Sequence, residues 1–92
     1  MYRKETTIRN ATGLHARPAS EFINCAKSFS SALKIRRTDG TEAKSDNAKS
    51  MVTILTQALS CGERVEIIGD GEDEVEAVDT LIRLIDGGFG EV

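Results

Sequence analysis

The residues with chemistry to offer cluster in one short stretch. The only histidine of the chain, His15, stands in Gly-Leu-His-Ala-Arg-Pro-Ala, positions 13–19, directly ahead of an amphipathic segment. The first turn of a helix carries N–H groups without intrahelical acceptors and the positive end of the macrodipole. Pro18 marks such a start, because proline is tolerated in a first turn and breaks a helix interior. The spacing predicts a helix beginning near residues 15–17, with the free N–H groups of Ala16 and Arg17 directed at the imidazole. A phosphate on that ring would meet these donors, the dipole and the Arg17 guanidinium together; a carboxylate ligand would suit the same donors. A solitary histidine beside a helix start is more often a surface residue or a cap. Arg17 and Pro18 raise His15 above that reading, since they supply an anion partner and a fixed helix origin. The helix start also disfavours imidazolium and keeps the ring a neutral nucleophile near pH 7.

The elements that must position these residues are legible as periodicity. Residues 2–10 alternate loosely, Tyr2, Thr6 and Ile8 against Arg3, Glu5, Thr7 and Arg9, and predict a half-exposed strand. A loop over 10–13 leads to the helix, expected over 16–29, with Ala19, Phe22, Ile23, Ala26 and Phe29 as its apolar stripe. Ser30 and Ser31 end it. Residues 32–37 read as a strand with Leu33 and Ile35 on one face, and Thr38-Asp39-Gly40 as a turn. A short third strand is expected over 41–44, then a polar lead-in over 44–47 to a second helix over 50–59, with Met51, Ile54, Leu55, Ala58 and Leu59 apolar. Residues 63–69 are the most strand-like, Val65 and Ile67 alternating with Arg64 and Glu66. In the last helix Glu72, Asp73, Glu74 and Glu76 crowd the first turns, where the dipole favours acids. Val75, Val78, Leu81, Ile82 and Ile85 form its stripe, and Gly87-Gly88 stops it. The order βαββαβα predicts an α+β fold of two layers, a four-stranded sheet with its helices on one face and one shared core.

Composition bounds the function. The 92 residues have room for one domain, and 4% aromatic content with no Trp leaves an aliphatic core. A net charge of −3 argues against nucleic acid as the main partner. No apolar run reaches the length of a membrane span and no charged-then-apolar leader opens the chain, so a cytoplasmic protein without membrane insertion is the simplest expectation. Cys25, within the first helix, and Cys61, in a turn before Gly62, belong to no CxxC pair and read as free thiols. One histidine and no convergent cysteine or carboxylate cluster leave little for a metal, a cofactor or an independent small-molecule enzyme.

The Gly13–Ala19 motif resembles the signature of the HPr family, the histidine-containing phosphocarriers of the bacterial phosphoenolpyruvate-dependent phosphotransferase system. The element order matches that family's fold, an open-faced sandwich of a four-stranded antiparallel sheet and three helices, over essentially the whole of residues 1–92 as a single domain. A second stretch, Asn47-Ala48-Lys49-Ser50-Met51, resembles the family's regulatory-serine segment. The tail over 84–91, ending Gly-Gly-Phe-Gly-Glu, is similar to the nitrogen-related branch.

The resemblance implies a relay. Phosphorylated enzyme I would give its phosphoryl group to Nδ1 of His15, with Arg17 as charge partner, and enzyme IIA domains of sugar permeases would receive it. The chain would be a monomeric substrate of enzyme I, not an enzyme. Ser50 matches the serine that a kinase/phosphorylase modifies in some bacteria; the bland reading is an N-cap worth roughly 1 kcal/mol. The alternative function is a regulatory or nitrogen-branch carrier that acts mainly as a protein-binding module, contacting transcriptional regulators or permease subunits. Extra residues between Gly40 and Ser50, Ala-Lys-Ser-Asp at 43–46, depart from the family's spacing and lengthen the third strand or form a loop.

Phosphoryl transfer needs positioning and charge stabilisation more than covalent help. An exposed seat, completed only when a partner docks, suits it better than a deep pocket. Around it Ala16, Ser20, Met51, Val52 and Leu55 are candidates for an apolar partner surface, with Lys49 steering acidic partners. Core packing of Met51 and Leu55, and a solvated helix-end lysine, are the competing readings.

Overall fold

The most strand-like run of the sequence occupies the middle of the sheet. The computed structural model describes residues 1–14, 16–38, 46–47 and 60–90. In chain order these hold β1 (Tyr2–Thr7), α1 (Ala16–Lys27), β2 (Ala32–Arg37), β3 (Asp46–Asn47), β4 (Arg64–Asp70), α2 (Glu74–Asp86) and a 3₁₀ turn, Gly88–Gly90. The sheet order is β1-β4-β2-β3 and every pairing is antiparallel. Three strands are full length, and the two residues of β3 pair with Lys34 and Ile35 at the edge. The strand expected over 41–44 and the helix expected over 50–59 lie outside the described residues. Asp46 and Asn47, expected to be a polar lead-in, are paired instead.

Period-two alternation sorts the sheet into two faces. Leu33, Ile35, Val65 and Ile67, all 2% exposed or less, turn towards the helices and share one core with Phe22, Ile23, Ala26, Val78, Leu81 and Ile85. α2 packs on β1, β4 and β2, and α1 packs on α2. The architecture is thus α+β, an open antiparallel sheet with its described helices on one face. Burying a Leu, Ile, Val or Phe side chain in this way contributes about 1.5–3 kcal/mol each.

Gly69 sits in β4 directly against α2. A Cβ there would lie 2.8 Å from Val78 Cγ2 and 3.2 Å from the Glu74 carbonyl oxygen, so the glycine lets helix and sheet approach. At the far end α2 stops at Asp86, and Gly88, with φ of 63°, makes the left-handed turn that returns Phe89 to the core.

Several expectations need correction. α1 ends at Lys27 and not at residue 29: the Ser28 hydroxyl and amide both donate to the Cys25 carbonyl, drawing the chain out of the helix. Phe29 still packs against the core. Val75 is 51% exposed; it lies roughly 70° from the centre of the α2 stripe by helical geometry, and Ala77 on the opposite shoulder is buried in its place. Glu66, expected on the polar face, is on that face yet only 4% exposed, because Arg36 covers it with Nε 2.6 Å from Oε1. Asp73 stands at the α2 N-cap position but caps nothing. Its carboxylate accepts from the backbone N–H groups of Ser30 (2.9 Å) and Ser31 (3.0 Å) and from the Ser31 hydroxyl, tying the α1–β2 connection to the start of α2.

Candidate functional site

The approach to the candidate histidine is held at Ile8, Asn10, Gly13 and Leu14. Past the end of β1, Ile8 donates its N–H to the Glu63 carbonyl (2.9 Å) and accepts from Gly62 N–H (2.8 Å), which locks it beside the turn before β4. Asn10 is fully buried. Its backbone carbonyl accepts from Gly13 N–H at 3.1 Å, and its side-chain Nδ2 donates to the Gly13 carbonyl at 2.8 Å and to Thr12 Oγ1 at 3.1 Å. Gly13, with φ of 66°, provides the left-handed turn that this closure requires. Leu14 follows with no exposed surface and anchors the chain in the core.

On the other side, α1 opens at Ala16, whose φ of 50° is left-handed and costs a non-glycine residue about 1–2 kcal/mol. The strain persists because Leu14, Pro18 and Ala19 are all buried and leave the backbone little choice. Pro18 sits in the first turn, as its missing N–H and fixed φ favour. Ala16 and Arg17 are exposed and Ser20 half-buried. His15 itself, and Lys49, Ser50, Met51, Val52 and Leu55 of the expected partner surface, lie outside the described residues.

The electrostatics of the two helix starts differ. α2 carries Glu74 and Glu76 in its first turn, so its dipole is compensated from within. α1 has no acidic residue in its first turn, so the positive end of its dipole keeps its attraction for an external anion. The Arg17 side chain is 75% exposed and rests on Glu21, Nε to Oε1 3.2 Å, one turn along the helix. Sequence reading assigned Arg17 only to an incoming anion and missed this neighbour, although the i,i+4 spacing signals it. It also passed over Asn10 as loop; an Asn three residues before a Gly is the available signal. Cys25 and Cys61 are free, Cys25 half-buried with its thiol pushed up by burial, Cys61 exposed in the turn before Gly62.

An exposed helix start without acidic residues thus follows the only histidine of the sequence in a small open-faced α+β domain. Comparison with known proteins shows the family. The family model described as the PTS HPr component phosphorylation site matches residues 2–86. The phosphocarrier protein HPr of Haemophilus influenzae is 45% identical over 92% of this chain and 95% of its own length. The phosphocarrier protein NPr of Proteus mirabilis is 34% identical over 98% and 96%. The crystal structure of HPr-C-His from Thermoanaerobacter tengcongensis superposes with a TM-score of 0.92 at 39% identity, covering 100% of this chain and 99% of that one. The chain belongs to the HPr family, the phosphocarrier proteins of the phosphotransferase system. Its members carry the phosphoryl group; they are not catalysts. Among the described residues no helix is long and apolar enough to cross a membrane.

Proposed function

We propose that this chain accepts a phosphoryl group on Nδ1 of His15 from phosphorylated enzyme I and passes it to enzyme IIA domains in sugar uptake. The observation that carries the reading is the start of α1: exposed at Ala16 and Arg17, free of acids in its first turn, and preceded by a tightly anchored loop. In the transfer the Nδ1 lone pair attacks phosphorus in line. A new N–P bond forms as the N–P bond on the donor histidine breaks, and the donor ring keeps the electron pair. The N–H groups of Ala16 and Arg17 and the Arg17 guanidinium hold the phosphoryl oxygens. No general base is needed, because neutral Nδ1 has no proton to lose.

In this reading residues 1–92 are one cytoplasmic, monomeric domain, with the second of the family fold's three helices at 50–59. Ala16, Ser20, Lys49, Met51, Val52 and Leu55 surround the histidine and exclude water when a partner docks. Ser50 caps that helix; as a substrate of a serine kinase/phosphorylase it would place a dianion on the docking face and weaken binding there.

A second reading, a nitrogen-branch carrier working mainly as a regulatory binding module towards transcriptional regulators, is favoured by the NPr relative and by the Gly-Gly-Phe-Gly-Glu tail. Transfer of labelled phosphate from the charged protein to a sugar-type and to a nitrogen-type enzyme IIA separates the two. The first reading predicts faster discharge to the sugar-type acceptor; preferential discharge to the other reverses the assignment. Tight binding to a regulator that survives His15→Ala makes the chain a binding module.

A further inference from the structure

We propose that Asn10 is a positioning residue for phosphoryl transfer, and that its side-chain amide sets the direction in which the chain delivers His15. The inference rests on the carrier function proposed above. Asn10 is fully buried and bonds both backbone groups of Gly13. Its carbonyl accepts the Gly13 N–H at 3.1 Å, and its Nδ2 donates to the Gly13 carbonyl at 2.8 Å. A turn of this kind needs only the first of these bonds to close. The second fixes the Gly13 carbonyl, hence the plane of the Gly13–Leu14 peptide and the direction of the backbone as it enters Leu14 and the next residue, His15. A further bond from Nδ2 to Thr12 Oγ1 (3.1 Å) prevents the amide from rotating away.

The surroundings leave this plane as an adjustable joint. Ile8 is locked to the turn before β4 by two backbone bonds, Leu14 is wedged in the core, and Pro18 and Ala19 fix the first turn of α1. Between these anchors Gly13 is the residue with the most conformational freedom, and without the amide it would sample more than one peptide orientation. In-line displacement is sensitive to this: a misplacement of about 1 Å in a reacting group costs on the order of a hundredfold in rate. Asn10 acts through the Gly13 peptide plane, so its contribution should appear in the rate of the chemical step and leave partner docking alone.

The test uses the intact protein, phosphoenolpyruvate and enzyme I, with kcat and KM for the carrier measured for wild type, Asn10→Asp and Asn10→Ala. Asn10→Asp keeps the size and the backbone turn and removes both N–H donors; Asn10→Ala removes the group. Circular dichroism melts set an assay temperature at which each variant is folded, and the phosphorylated fraction at completion counts competent molecules. The expected result is a kcat lowered roughly ten- to a hundredfold with KM unchanged within about twofold and full phosphorylation at completion. Wild-type kcat in either folded variant overturns the proposal. A loss seen only as a smaller phosphorylated fraction also overturns it, since that is a folding defect. If wild type itself takes up no phosphate, the carrier function fails, a different result from unaltered kinetics in the variants.

Discussion

The Arg17 guanidinium lies against the Glu21 carboxylate, Nε to Oε1 3.2 Å, one turn further along α1. The pair is exposed and has the less favourable orientation for a helix, with the cation N-terminal to the anion, so it is worth only about 0.3–0.5 kcal/mol. It is enough to hold Arg17 along the helix and weak enough for a phosphoryl group to displace it. Glu21→Gln should therefore shift the phosphoryl equilibrium between enzyme I and this protein towards this protein by about twofold. Quantifying both phosphoproteins at equilibrium checks this; an unchanged ratio means that Glu21 does not compete for Arg17.

Asp73 ties the α1–β2 connection to α2, and its acceptor bonds from the Ser31 hydroxyl and the Ser30 and Ser31 backbone lower its pKa from 3.8 to about 2. A carboxyl with a depressed folded pKa adds stability that is fully present above its unfolded pKa and is lost as pH falls through the folded one. Asp73→Ala should lower Tm at neutral pH and reduce the dependence of Tm on pH between 3.8 and about 2. Melts at pH 7 and across the acid limb measure both effects; an unaltered acid limb would show that the tie contributes nothing in solution.

Glu66 places a carboxylate under Arg36 on the sheet face away from the helices, with Arg3 Nη1 a further 3.9 Å contact. Removing the covering group is worse than removing both partners, because it leaves a desolvated charge. Arg36→Ala should cost about 2 kcal/mol in urea unfolding, and Glu66→Leu combined with Arg36→Leu should recover most of that. A single variant as stable as wild type would mean that the carboxylate reaches water unaided.

Gly69→Ala would set a methyl group against Val78 and the Glu74 carbonyl. Overpacking of this kind costs about 1–3 kcal/mol. Combining it with Val78→Ala should return part of the loss, since Val78 Cγ2 is the nearest obstacle at 2.8 Å. Additive losses in the double variant would contradict the proposed contact.

How much of this was legible beforehand follows from the range of each interaction. β2 was readable residue for residue, and β4 nearly so, because alternation around Leu33, Ile35, Val65 and Ile67 is a local signal. The start of α1 was likewise announced by Pro18 and the apolar stripe behind it. What escaped depends on partners distant in sequence. Glu66 is buried only because Arg36 arrives from β2, Asp73 abandons its cap for serines on another connection, and Asp46 and Asn47 become a strand only by lying against Lys34 and Ile35. Val75 and Ala77 exchange burial because periodicity centres a stripe without saying how wide its neighbours make it. At the candidate site, spacing located Ala16 and Arg17 and missed their neighbours Glu21, paired with Arg17, and Asn10, buried and bonded to Gly13.

The most direct test of the central claim is the intact mass of the protein after incubation with phosphoenolpyruvate and catalytic enzyme I, read before and after brief acid treatment. The account predicts a gain of one phosphoryl group that acid removes and that His15→Ala never acquires. A protein that stays at its original mass, or one whose His15→Ala variant gains the same acid-labile group, would contradict it.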